Sequence, residues 1–176
     1  MSRRWSVFGF SALFAILICP VGAQAPAGQA PLASSPATLI VKGDVATPLT
    51  LTADQLAGMP RAKATIPDQD GTEVEYEGVS LSEVLKRAGA PSGSQLRGDA
   101  LTSYVLAKAH DGYQVVFTLA EVDAAFANEK ILIADQRDGK PLFEYQGPFR
   151  LVCPGDKAGA RSVRMLETLE IVRLKK

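Results

Sequence analysis

The chain has 176 residues, with nineteen basic and nineteen acidic side chains, one histidine and two cysteines. A formal net charge of zero, with the signs intermixed along the chain, excludes the basic footprint of a nucleic-acid binder. Cys19 lies in an apolar leader, which leaves Cys153 alone in the remainder and excludes an internal disulfide there.

Arg3 and Arg4 precede an apolar run over residues 5–21 that ends in small side chains, the three-part layout of a secretory signal peptide. Residues 1–25 are therefore read as a signal, cleaved after Ala23 or Ala25, and the expected location is periplasmic or secreted. The alternative is an uncleaved membrane anchor, against which stand Pro20, Gly22 and the Ala-, Gln- and Pro-rich stretch behind them. The paired arginines match a twin-arginine signal poorly, because Ser6 stands where such a signal has a large apolar residue. Signal removal leaves seventeen basic residues against nineteen acidic, a net charge of −2, and no membrane contact is expected of the mature chain. Residues 26–37 are too poor in apolar side chains to order themselves and are predicted as a disordered linker. Residues 38–176 suffice for one domain with a single core.

Residues 38–42 (Thr-Leu-Ile-Val-Lys) and 48–51 predict paired strands across a turn at Gly43-Asp44. Thr52-Ala-Asp-Gln55 has capping-box spacing, so a short helix with Leu56 and Met59 inward is expected before Pro60. Residues 62–66 and 72–77 read as strands around a turn at Asp68–Gly71, the alternation in the second implying one wet face. Ser80-Leu-Ser-Glu83 is a second capping box, opening a helix that buries Leu81, Val84, Leu85 and Ala88 and stops at Gly89. Residues 101–109 and 113–117 predict a hairpin whose Asp111-Gly112 pair suits a turn with both central residues left-handed. His110, beside that turn, has no partners at ligand spacing and is read as a surface residue. Thr118-Leu-Ala-Glu121 is a third capping box, expected to open a helix reaching Phe126. Residues 130–135 form a near-continuous apolar strand, 137–142 a turn, and 168–174 the strand that closes the sheet.

The most informative stretch runs from Gly147 to Leu166. Phe149 to Cys153 is an apolar run between Pro148 and Pro154, a buried strand with Cys153 as a small core residue. Gly155 and Gly159 follow, with Lys157, Arg161 and Arg164 supplying positive charge and fork-shaped donors. That composition fits an anion site at a strand end, or a direction-reversing surface loop. Arg150 is open to two roles, as an anion donor or as the partner of a core-facing carboxylate such as Glu144 or Asp135.

The order Gly-Pro-Phe-Arg-Leu-Val-x-Pro-Gly, then Gly159 and Ser-Val-Arg-x-Leu, resembles the end of the molybdopterin-binding domain of the sulfite oxidase family. Tyr76-Glu-Gly-Val-Ser-Leu81, Asp111-Gly-Tyr113 and Asp138-Gly-Lys-Pro-Leu142 resemble further segments of that family in the same order. The resemblance implies an α+β fold, dominated by mixed, mostly β sheets with short capped helices at their edges. This agrees with the many short strands and three capped helices read from the residues themselves. It also implies a cofactor-binding set of Arg150, Gly159, Ala160, Arg161, Ser162 and Arg164, directed at a pterin and its phosphate. The family's molybdenum-ligating cysteine, expected upstream of Tyr76, has no counterpart between Met59 and Tyr76. No metal ligand and no catalytic residue is therefore assigned.

Three functions remain open at this point. The chain is an exported module binding a small anion or pterin without conventional molybdenum ligation, a small molybdopterin-dependent oxidoreductase with a periplasmic redox partner, or a protein-interaction module. A nucleophile elbow, a phosphate-binding Gly-Lys-Ser/Thr loop and a His-Glu-x-x-His helix are all missing from the sequence.

Overall fold

The computed structural model describes residues 37–68, 70–128 and 130–175, so the expected signal peptide and nearly all of the linker lie outside the described residues. Thr38–Gly43 (β1) and Leu49–Thr52 (β2) pair antiparallel. Helix α1 (Ala53–Ala57) starts on a complete capping box, with Thr52 and Gln55 each bonding the other's backbone N–H. Arg61–Pro67 (β3) and Glu73–Ser80 (β4) form a hairpin leading into α2 (Leu81–Arg87). Two 3-10 turns, Gly93–Gln95 and Gly98–Thr102, lead to the hairpin of Ser103–Ala109 (β5) and Gln114–Thr118 (β6). After α3 (Leu119–Val122) come Leu132–Arg137 (β7), Lys140–Pro141 (β8), Arg150–Val152 (β9) and Leu166–Arg173 (β10).

The first sheet has the order β2-β1-β10-β5-β6, with β1 and β10 parallel and the other pairs antiparallel. The second has the order β3-β4-β7-β8, and β9 also pairs with β7. One buried cluster joins Leu39, Val105, Leu169 and Ile171 of the first sheet to Val79, Ile133 and Leu151 of the second, with Leu56, Leu81, Val84 and Leu119 from the helices. Each such side chain contributes about 1.5–3 kcal/mol on leaving water. A smaller cluster of Val74, Tyr76, Leu132, Ala134 and Val152 covers the opposite face of the second sheet. The architecture is the expected α+β class, and both faces of β7 are buried.

Four local features differ from the sequence reading. Ser80 opens α2 without capping it, because its Oγ bonds the Ser82 hydroxyl at 2.8 Å and Glu83 turns to Lys86. Ser80 is still strand backbone paired with Leu132, and the Ile131 carbonyl already accepts the Leu81 N–H, so one of the orphan donors at the helix start is satisfied without a cap. At Asp111-Gly112 only Gly112 is left-handed (φ +87°), in a three-residue loop, whereas Asp138 (φ 50°) and Gly139 (φ 72°) form the two-residue turn with both positive. Helix α3 stops at Val122, since Asp123 leaves helical geometry and uses its carboxylate to bind the Gly93 and Ala125 N–H groups. Gly78, beyond the expected strand end at residue 77, lies within β4, at the register shift opposite β7.

A Cβ at Gly78 would sit 2.0 Å from the Ile133 carbonyl oxygen, whereas one at Gly159 would meet open space. Gly78→Ala is expected to cost about 3 kcal/mol, the upper end for overpacking against backbone. Gly159→Ala is expected to stay within about 0.5 kcal/mol. Urea unfolding of the two variants beside the parent checks both values.

Candidate functional site

Strand β9 is short and buried, and its period of two sends Arg150 and Val152 to the face of the second sheet that carries Tyr76. Leu151, with Phe149 and Cys153 on either side of the strand, enters the main core. Arg150 is 7% exposed, its Nη1 donates to the Tyr76 hydroxyl at 2.6 Å, and its guanidinium carbon stands 4.8 Å from the centre of that ring. Neither Glu144 nor Asp135 takes it, since Asp135 is held by Arg61 through two hydrogen bonds of 2.8 and 2.6 Å. The Arg150 Nε is buried and has no hydrogen-bond partner. Burial pushes the Arg150 pKa down, the neighbouring Arg164 adds repulsion, and Tyr76 offsets part of this.

The chain after β9 folds back along it. Leu151 donates to the Val163 carbonyl and Leu166 to the Phe149 carbonyl, both at 2.8 Å, while the Cys153 N–H donates to the Ser162 Oγ at 3.2 Å. This return forms a cavity of about 430 Å³ lined by Ile66 and Pro67 at the end of β3, by Asp68 just after it, and by Arg150, Cys153, Asp156, Lys157, Gly159, Ser162 and Arg164. Arg150, Gly159, Ser162 and Arg164 of the expected binding set thus line one space. Among the described residues, Arg150, Lys157 and Arg164 form no ion pair. Arg164 is exposed and lies 5.8 Å from the ring centre of Tyr145, which stacks on Phe143.

The other two members of the set are engaged elsewhere. Arg161 donates through Nε (2.8 Å) and Nη2 (2.6 Å) to Asp156 and through Nη1 to Glu121, and it lies over the Phe117 ring. Its pKa is raised, first by the bond to Asp156 and then by that to Glu121, so its charge answers protein carboxylates. The Ala160 carbonyl accepts the Tyr113 hydroxyl at 2.8 Å. His110 is exposed on its hairpin, 3.9 Å from Glu167, as a surface residue would be. Asp68 and Tyr76 were missed as site residues because they lie more than seventy positions before the C-terminal loop, beyond the reach of any local pattern.

The donors fit the anionic part of a phosphate-bearing pterin: a buried guanidinium, a second arginine, a lysine and a hydroxyl line one cavity. They do not reproduce thiolate ligation of a metal. Cys153 is the one cysteine among the described residues, and its Sγ donates to the Arg161 carbonyl at 3.6 Å. Burial, and then the Asp156 carboxylate, push its thiol up to about 12. Among the described residues no group of three or more His, Cys, Asp or Glu converges to hold a metal ion.

Two outcomes follow from these contacts. At pH 8 the native Cys153 thiol is protonated, so its reaction with a disulfide reagent should run roughly a thousandfold slower than in urea-unfolded protein, as an absorbance time course would measure. Arg161→Ala separates Asp156 and Glu121 from their shared partner and is expected to cost about 1–2 kcal/mol in thermal unfolding, a value reduced by the partial exposure of the clamp.

Comparison with curated protein sequences finds no match. Among solved structures, the sulfane dehydrogenase SoxCD from Paracoccus pantotrophus is similar, with a TM-score of 0.60 and 23% identity over 77% of this chain and 38% of that chain. The present chain therefore spans less than half the length of that protein, and the likeness at this identity concerns the fold. The family model described as the oxidoreductase molybdopterin binding domain matches residues 27–176, which include every element of both sheets and the whole cavity. With sequence profile and fold in agreement, the chain belongs to the family of oxidoreductase molybdopterin-binding domains.

Proposed function

We propose that this domain is an exported module that binds a small phosphate-bearing ligand of pterin type, without thiolate ligation of molybdenum. The observation that carries the reading is Arg150. A guanidinium that is more than nine-tenths buried, with one hydrogen bond to a phenol, an unpartnered Nε and a like charge nearby, is a costly arrangement that an incoming anion relieves. Arg164, Lys157 and the Ser162 hydroxyl stand on the same cavity wall to share the charge. Residues 1–25 provide for export to the periplasm or beyond.

Membership of an oxidoreductase family favours a second reading, a small molybdopterin-dependent enzyme served by a periplasmic redox partner. Bound molybdopterin supplies two-electron redox chemistry at its metal. The part of this chain would be to hold the phosphate through Arg150 and Arg164 and to shield it from water with the 153–165 return.

Calorimetric titration with inorganic pyrophosphate tests the anion site. Arg164→Ala should bind at least about tenfold more weakly, the loss of one charge-assisted hydrogen bond, and Arg150→Met should lose binding. Pyrophosphate at a hundredfold excess over its dissociation constant should raise the stability of the parent by about 2.7 kcal/mol. Unchanged binding in Arg164→Ala and Arg150→Met would leave the loop as structure only. Elemental analysis of protein exported by its own signal separates the two readings, because stoichiometric molybdenum and pterin would replace the first with the second.

A further inference from the structure

Strand β6 closes one end of the first sheet, with β5 on one side and no strand among the described residues on the other. In its hairpin the Ala109 N–H donates to the Tyr113 carbonyl at 2.9 Å, and the register sets Ala107 against Val115 and Val105 against Phe117. Pairs in an antiparallel ladder alternate between exchanging both backbone bonds and exchanging neither, so Val115 and Phe117 bond to β5 while Gln114 and Val116 direct theirs outward. Thr118 keeps the alternation, since its N–H leaves the sheet for Glu121 Oε2 at 3.3 Å. No group among the described residues takes the outward N–H and C=O of Gln114 and Val116.

The other edges are protected against pairing. Strand β3 carries Arg61, Lys63 and Pro67, β8 is two residues long and ends in Pro141, and β2 is four residues long and follows Pro48. Strand β6, Gln-Val-Val-Phe-Thr, has neither charge nor proline, and its Val116 side chain is half exposed. Lys108, opposite Gln114 on β5, is neutralised by Glu170 at 2.6 Å.

We propose that β6 pairs with β6 of a second copy of this chain, antiparallel about a two-fold axis at Val115, so that two five-stranded sheets become one. In that register Gln114 of each copy faces Val116 of the other, and every outward N–H meets an outward C=O. Val115, partly buried against the core, meets its own counterpart in the closer, non-bonded kind of pair, a contact that suits β-branched side chains. A shift of one residue would call instead on the Thr118 carbonyl, which as the cap of α3 already accepts the first bond of that helix. An uncharged strand meets its own copy without like-charge repulsion, which is what favours a second copy as the occupant. The contact is small, so the dimer is weak and forms as concentration rises. It is independent of what the Arg150 cavity binds.

Sedimentation velocity of protein exported by its own signal, run over a wide range of concentration, should show monomer passing to dimer. Val116→Lys puts a charge on the exposed side of the edge and should weaken association roughly tenfold or more. Gln114→Pro removes an outward donor without costing a bond to β5, and should weaken it as well. Amide exchange of the parent reports the register without any variant: Gln114 and Val116 should slow as concentration rises, while Val115 and Phe117, bonded to β5 in either state, should not change. A parent that stays monomeric throughout overturns the proposal. So does a dimer that both variants leave intact, or one whose slowed amides lie on another strand.

Discussion

The guanidinium of Arg150 lies over the Tyr76 ring, and this single contact sets the problem that the surrounding chain answers. An arginine side chain keeps its proton under any physiological condition, so burial cannot be relieved by neutralisation as it is for a buried lysine or carboxylate. The phenol oxygen accepts one N–H and the ring face attracts the cation, contributions of about 1–3 kcal/mol that fall short of the several-kcal/mol effective penalty for a desolvated ion. Asp135 is taken by Arg61 in a two-bond fork and Asp68, which lines the same cavity as Arg150, by Arg137 at 2.7 Å, so the second sheet holds two paired arginines beside Arg150, which forms no ion pair among the described residues.

The loop after β9 is built to keep its shape around that charge. Arg161 draws Asp156 and Glu121 together over Phe117, and Glu121 also completes the cap of α3 through its other oxygen. One carboxylate therefore serves a helix start and a loop anchor at once. With Leu151 and Leu166 bonded across the return, Gly159, Ser162 and Arg164 are carried to the cavity by backbone pairing, whatever fills it. The acids near the loop thus neutralise Arg161 and leave Arg150, Lys157 and Arg164 as the unpaired cations of the site.

What was legible in the sequence is what short periods encode. Alternation placed β4 and its wet face, β-branched runs placed β1 and β7, and two of three capping boxes closed as spaced. The misreadings share a cause: a tertiary partner had already settled the local choice. Ile131 satisfied the helix start that Ser80 was expected to cap, and two Asp-Gly pairs took different turns because one closes a two-residue loop and the other a three-residue loop. The site was half legible. Basic and glycine residues marked the loop, but the Tyr76 partner of Arg150 lies seventy-four positions away and the Glu121 partner of Arg161 forty, separations that carry no periodic signature.

Gripping an anion and ligating a metal place different demands on a scaffold. Soft-metal ligation asks for a thiolate, and the one cysteine among the described residues, Cys153, is buried with its thiol pushed up to about 12. The proposed anion grip would rest on a charge inside the sheet packing, and burying that charge without a counter-ion costs free energy. Replacing it by an apolar residue of similar volume would relieve that cost, so folding gives no reason for Arg150 to stand where it does. Under the proposed reading the reason lies in the cavity beside it, where a phosphate facing the guanidinium would turn an unfavourable burial into a charge-assisted contact.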